Sequence, residues 1–219
     1  MQLVIPPVEG SALALALRRV DDGASLTLAE PDLDSLLYVA SGSGSFELDG
    51  AETELAAGSA ALVLAGEAAT IVGGGGLEIV QATVGTAVDR HAPLGARETV
   101  VRLDPERSEQ ALGGTRAYQL LFGSHNGSTR ATLFAGFLPP GRPPWHYHLY
   151  DEIVFIPEGP GRLHLRDSEA ELGAGSAFRL PPREVHIVEN ASPAGEMTLI
   201  GVFTPAGSPA TAYLANGDS

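Results

Sequence analysis

Short runs rich in Val, Leu, Ile and Phe recur every eight to twelve residues along this chain, and glycine and proline punctuate them. SLLYVA, SFELDG, AALVLA, ATLFAGF, EIVFIP, RLHL, AFRL and MTLIGVF are examples. Runs of that length and spacing have the habit of strands, so the pattern predicts an all-β fold. No segment carries a helical stripe of apolar positions. Only DPERSEQAL, Asp104 to Leu112, reads as a short linker helix. Asn126-Gly127 is a tight-turn signal between flanking strands.

The pattern also repeats. Sliding the chain by 117 positions lays DSLLYVASGSGSFEL, Asp34 to Leu48, on DEIVFIPEGPGRLHL, Asp151 to Leu165, without a gap. The same shift lays ELAAGSAALVL, from Glu54, on ELGAGSAFRLP, from Glu171. Two copies of one small barrel explain this economically. The expected units are a first barrel over 1–90, a linker over 91–116, and a second barrel over 117–219. The linker carries one strand, ETVVRL, that can be exchanged between halves.

The candidate chemistry sits in the second copy. His146, His148 and Glu152 fall in GRPPWHYHLYDEIVFIPEG, and His186 falls in GSAFRLPPREVHIVEN. Side chains at i and i+2 of an extended strand share a face, so His146 and His148 aim two imidazoles at one point. Glu152 and His186 then complete a cage of nitrogen and oxygen donors. Such a cage suits one divalent transition metal, with iron, manganese or nickel favoured and zinc or cobalt compatible, and suits calcium or magnesium poorly. At the repeat offset the four positions hold Ala29, Pro31, Ser35 and Ala69, so the first copy is expected to bind no metal by this route and to pack against the working barrel.

These residues resemble the two motifs of the cupin superfamily. Gly141, His146, His148, Glu152 and Gly159 match the first, and Gly175, Pro181, His186 and Asn190 match the second. Arg183 stands where the second motif has a glycine, which implies an altered turn or a side chain placed at the barrel mouth. The resemblance implies a bicupin of two jelly-roll barrels, a degenerate first one and a metal-binding second one. It also implies an enzyme, since cupins range from dioxygenases through isomerases, decarboxylases and lyases to hydrolases.

Three neutral imidazoles and one carboxylate leave a divalent ion near +1, with two adjacent positions open in an octahedron. Glu152 and Tyr150 are the candidate catalytic residues. Tyr150 has the parity of the ligands, whereas Tyr147 has the opposite one. Arg142 and Arg179 are candidates to grip a substrate carboxylate, Arg179 because it lies among apolar neighbours. Trp145 and Phe134 are candidates to line an apolar pocket, although core packing explains them equally well. Asp151 reads as structural, because its counterpart Asp34 persists in the copy without ligands. His164 is expected on the outer face of its strand, and His91 and His125 belong to no recognisable constellation.

Composition narrows the partners. With 27 acidic against 13 basic residues the net charge is −14, which repels nucleic acid and anionic lipid. No cysteine and no lysine are present, so thiolate, iron–sulfur and Schiff-base chemistry are excluded. No apolar run reaches membrane-spanning length and the start, MQLVIPPVEG, lacks a basic n-region, so a cytoplasmic location is expected. The expected partners are a small-molecule substrate, anionic or enolisable, and a second copy of the chain in a homodimer. Oxygenase chemistry leads the functional expectations, because the ligand set in bicupins resembles that of flavonol-type dioxygenases. A non-redox metalloenzyme and a binding module without turnover are the alternatives.

Overall fold

A computed structural model describes residues 2–88, 92–111 and 116–215 of the chain. The first half contains β1 (Gln2–Ile5), β2 (Leu13–Val20), β3 (Ser25–Leu28), β4 (Leu33–Ser41), β5 (Ser43–Leu48), β6 (Ala51–Ala56), β7 (Ser59–Val63), β8 (Ala69–Gly73) and β9 (Leu77–Gly85). Between the halves lie β10 (Val100–Arg102) and β11 (Glu109–Gln110). The second half contains β12 (Ala117–Phe122), β13 (Thr132–Leu138), β14 (His146–Tyr147), β15 (Asp151–Phe155), β16 (Gly161–Leu165), β17 (Glu169–Leu172), β18 (Ala177–Leu180), β19 (His186–Asn190), β20 (Met197–Thr204) and β21 (Tyr213–Leu214). The repeat read from sequence maps strand onto strand: β5 falls on β16 and β8 on β19.

Each barrel is built from two sheets. The first pairs a sheet ordered β1-β2-β9-β4-β7-β10 with one ordered β3-β8-β5-β6. The second pairs β11-β12-β13-β20-β15-β18 with β17-β16-β19-β14-β21. The two six-stranded sheets stack back to back, so both of their faces are apolar. Along β4, Leu37 and Val39 point into the first barrel while Leu36 and Tyr38 cross the seam. Along β15, Ile153 and Phe155 cross the seam while Val154 and the following Ile156 point into the second barrel. This two-sided burial explains why β4, β13 and β15 read as continuous apolar runs rather than alternating ones. Each fully buried Leu or Phe in the seam stabilises the pair by about 1.5–3 kcal/mol, so the two barrels share one core.

Polar groups also cross the seam. Arg130 Nη1 lies 2.8 Å from Asp34 Oδ1. In the mirror relation, Asp151 accepts from the Ser11 hydroxyl. Asp34 and Asp151 therefore aim at the opposite barrel, which is why the carboxylate persists in the copy without ligands.

The linker differs from expectation. DPERSEQAL is not a helix: Pro105–Arg107 makes one 3-10 turn, capped by the Asp104 side chain, which accepts from the Glu106 N–H at 3.1 Å. Glu109 then pairs with Tyr118 in β11–β12, because no apolar stripe rewards continuing the helix. Leu112 and His91 lie outside the described residues. ETVVRL supplies β10, which pairs with β7 and closes the edge of the first barrel. Asn126-Gly127 does turn, with Gly127 at φ 108°, but within a longer loop between β12 and β13. Asn126 holds that loop by accepting from the Gly123 N–H and donating to the Leu121 carbonyl. Among the described residues, no helix is long and apolar enough to cross a membrane.

Candidate metal centre

His146 leaves β14 at the point where that strand pairs with β19, directly opposite His186. The strand ends at Tyr147, yet His148 still turns inward, and each of the three histidines offers one ring nitrogen within 4.8 Å of the others. Glu152 enters from β15 on the inward face shared with Val154, and its Oε2 lies 3.9 Å from His148 Nε2. The three histidines that the motif spacing singled out are therefore brought together, with Glu152 beside His148.

Backbone carbonyls fix the tautomers. His146 Nδ1 faces the Pro144 carbonyl at 3.0 Å, His148 Nδ1 faces that of Thr211 at 3.0 Å, and His186 Nδ1 faces that of Glu184 at 2.8 Å. Each Nδ1–H donates to its carbonyl, so each Nε2 carries its lone pair toward the common point. Burial pushes His146 down to about 3 and His186 to about 4, and lowers His148 as well, so the imidazoles are neutral and ready to ligate. Burial pushes Glu152 up to about 8, with Arg116 acting in the opposite direction and Asp151 adding to the rise. A buried carboxyl beside three neutral lone pairs is a donor set that fits a metal ion. The triad can hold a metal, and its donor chemistry fits a transition ion.

The cage opens into a cavity of about 70 Å³. Its walls are mostly apolar, with Phe134, Leu138, Val188 and Leu199 among them. Tyr150 also lines it, with its ring stacked on His148 at 4.6 Å and on Phe203 at 3.9 Å. Burial raises its phenol, so the hydroxyl stays protonated. Phe134 packs edge-on to Phe203 at 5.9 Å, in room left by Gly201: a Cβ there would lie 2.2 Å from the Phe134 ring and 3.1 Å from Glu152 Oε1.

Three sequence candidates lie elsewhere. Arg179 does not face the cavity. Its Nη2 donates to the Leu13 carbonyl at 2.5 Å and its Nε lies 3.6 Å from Asp151, so it joins the two barrels across the seam. Arg142 is exposed and sits 5.3 Å over the Trp145 ring, outside the cavity, and Trp145 serves as its platform rather than as a pocket wall. His164 faces away from Leu163, with Nε2 at 2.6 Å from Glu189 and Nδ1 at 3.5 Å from Glu169. His125 is exposed in the loop before Gly127.

Two features were not read from the sequence. Arg116, the last residue of the expected linker, lines the cavity with Nη1 at 3.2 Å from His146 Nε2. It precedes β12 with the parity of the inward Tyr118, and that register was the available signal. A strap after β20 covers the cavity with Pro209, Ala210 and Ala212, supplies the Thr211 carbonyl to His148, and pairs Tyr213 with Tyr147. Arg183 holds φ 70°, the left-handed turn a glycine would take, and its N–H donates to the His148 carbonyl at 2.7 Å. The motif's turn is thus kept despite the substitution. Asn190 donates to the carbonyls of Leu138 and Gly195, latching β19 in register beside the ligands.

In the first barrel the counterpart of Glu152 is Ser35, whose hydroxyl accepts from Gln81 at 3.0 Å, and Gln81 in turn accepts from Arg18 at 2.7 Å. A polar ladder occupies the interior there.

Residues 134–203 match the family model described as "Cupin domain". No curated protein matches the chain in sequence. Among solved structures, AerE from Microcystis aeruginosa is 17% identical, with 88% of each chain covered and a TM-score of 0.71. A mutant of oxalate decarboxylase from Bacillus subtilis is 14% identical, covering 94% of this chain and 71% of its own, with a TM-score of 0.74. A mutant of salicylate 1,2-dioxygenase from Pseudoaminobacter salicylatoxidans, solved in complex with gentisate, is 8% identical, covering 88% and 69%, with a TM-score of 0.72. Residues 134–203 therefore match a cupin domain, and the chain as a whole shares its fold with these structures.

Proposed function

We propose that the second barrel is a mononuclear metal-dependent enzyme centre acting on a small organic substrate, with oxidation by dioxygen as its reaction class. The observation that carries this reading is the convergence of three Nε2 lone pairs beside the buried Glu152 carboxyl. One divalent iron, manganese or nickel ion held by His146, His148, His186 and Glu152 supplies Lewis acidity and redox capacity toward oxygen. The chain's own residues do the rest. The carbonyls of Pro144, Thr211 and Glu184 hold the imidazoles in one tautomer. Tyr150 presents a protonated hydroxyl that donates to an oxygen atom of the bound substrate. Phe134, Leu138, Val188 and Leu199 exclude bulk water, which strengthens each polar contact inside.

A second reading, non-redox chemistry such as decarboxylation or lysis of a small acid, is favoured by size. About 70 Å³ lies well below the roughly 300–1,000 Å³ of pockets that take larger organic ligands, which suits a small acid. Both oxalate decarboxylase and salicylate 1,2-dioxygenase are similar in fold, so fold alone does not choose. The metal-loaded protein, incubated with a panel of short hydroxy, keto and dicarboxylic acids, discriminates in one experiment. Oxygen uptake that disappears in His186→Ala supports the oxygenase. Product without oxygen uptake replaces it with the second reading.

A further inference from the structure

We infer that Arg116 is the residue that binds a carboxylate group of the substrate, and that the ligand class of the cavity is a short-chain carboxylic acid. The inference rests on the metal-centre reading and adds to it the substrate's charge and the group that recognises it.

Arg116 enters the cavity at the start of β12 and is only partly exposed. Its Nη1 lies 3.2 Å from Nε2 of His146, and since His146 Nδ1–H donates to Pro144, that Nε2 accepts from the guanidinium. Arg116 therefore takes a lone pair that a metal ion would also take, in a cavity that Glu152 lines as well. A divalent ion on three neutral imidazoles and one carboxylate is near +1, and a guanidinium against it makes the pocket near +2. The other polar groups there do not compensate. Tyr150 brings only a hydroxyl, and the Tyr118 hydroxyl is already committed to Glu109 at 3.0 Å. The remaining walls are largely apolar, and a partly buried guanidinium whose acceptors have been taken is costly unless an anion replaces them.

A carboxylate meets both demands, because it brings the missing charge and its two oxygens match the planar fork of arginine. The small cavity suits a short chain beyond the carboxylate. Arg179 and Arg142, the other arginines with a claim to this role, are held at the seam and on the outer surface.

The test uses the zinc-loaded full chain, with glycolate as the probe and its neutral amide, glycolamide, as the control for shape. Titration calorimetry gives both dissociation constants for the wild type, Arg116→Gln and Arg116→Lys, with zinc content measured in each sample. Loss of one charged hydrogen-bond pair predicts glycolate binding about 10- to 100-fold weaker in Arg116→Gln. Arg116→Lys should fall between, since it keeps the charge and loses the fork. Glycolamide binding should not change. Equal glycolate affinity in the wild type and either variant, with zinc in place, overturns the inference. So does a zinc-loaded wild type that ignores glycolate. A wild type that takes up no zinc instead refutes the metal-centre reading, and the zinc assay reports that outcome separately.

Discussion

Changing Glu152 to Gln should abolish a proton release that accompanies metal uptake. The Glu152 carboxyl is 4% exposed, and burial pushes it up to about 8 in the metal-free protein. At pH 7 such a group is about one-tenth ionised, so a metal that binds the carboxylate must displace about 0.9 proton. His146 and His186 add nothing at that pH, because burial pushes them down to about 3 and about 4, and burial lowers His148 in the same direction. Apparent zinc affinity should therefore rise about tenfold from pH 6 to pH 7 and level off above pH 8. Calorimetric titration with zinc, in buffers of different ionisation enthalpy, counts the protons directly. The wild type should release close to one at pH 7 and few at pH 9, and Glu152→Gln should release none at either. Equal release from both proteins, or none from the wild type at pH 7, would refute the placement of Glu152 as a ligand that binds in its ionised form. The stability of the metal-free protein carries the same signature. Glu152 keeps a proton in the folded state that the unfolded chain loses above about 4.5, so its contribution weakens as pH rises from there to about 8, by up to about 5 kcal/mol. The histidines act in the opposite sense. Their folded values lie below 6.5, so the unfolded state binds more protons from about 3 to 6.5 and stability rises with pH across that window.

Gly201→Ala places a methyl against Phe134 and Glu152; it should cost about 1–3 kcal/mol, lower the melting temperature by about 2–4 °C for each of them, and weaken zinc binding, all read from melts with and without metal. Ending the chain at Ser208 removes the Thr211 carbonyl that orients His148, so zinc affinity measured by chelator competition should fall about 10- to 100-fold, and an unchanged affinity would show that the strap only covers the site. Arg183→Gly relieves a left-handed arginine at the price of a freer unfolded chain; it should be neutral or stabilising by up to about 1 kcal/mol, and a clear drop in melting temperature would mean that the Arg183 side chain supports the turn.

The sequence made some of this legible and hid the rest for physical reasons. The i and i+2 spacing of His146 and His148 and the pairing of His186 opposite His146 depend on local strand geometry, which motif spacing reports well. The repeat was visible because equivalent strands bury equivalent faces. Arg179 was misplaced because its apolar neighbours correctly signalled burial, but in a sheet covered on both sides burial does not distinguish the cavity from the seam. Arg116 was missed because its inward direction follows from the register of β12, whose start the linker composition obscured. The Thr211 carbonyl is a backbone contact from a distant segment to His148, and side-chain patterns carry no trace of it.

The central claim is one metal site per chain, in the second barrel. Elemental analysis of the protein reconstituted with each candidate ion and freed of excess metal tests it most directly, with His148→Ala and His186→Ala measured alongside. Close to one equivalent is expected in the wild type and little in either variant, with the strand signature in circular dichroism retained because the barrel closes through backbone pairing. Two tightly held equivalents, or one that survives both substitutions, would contradict it.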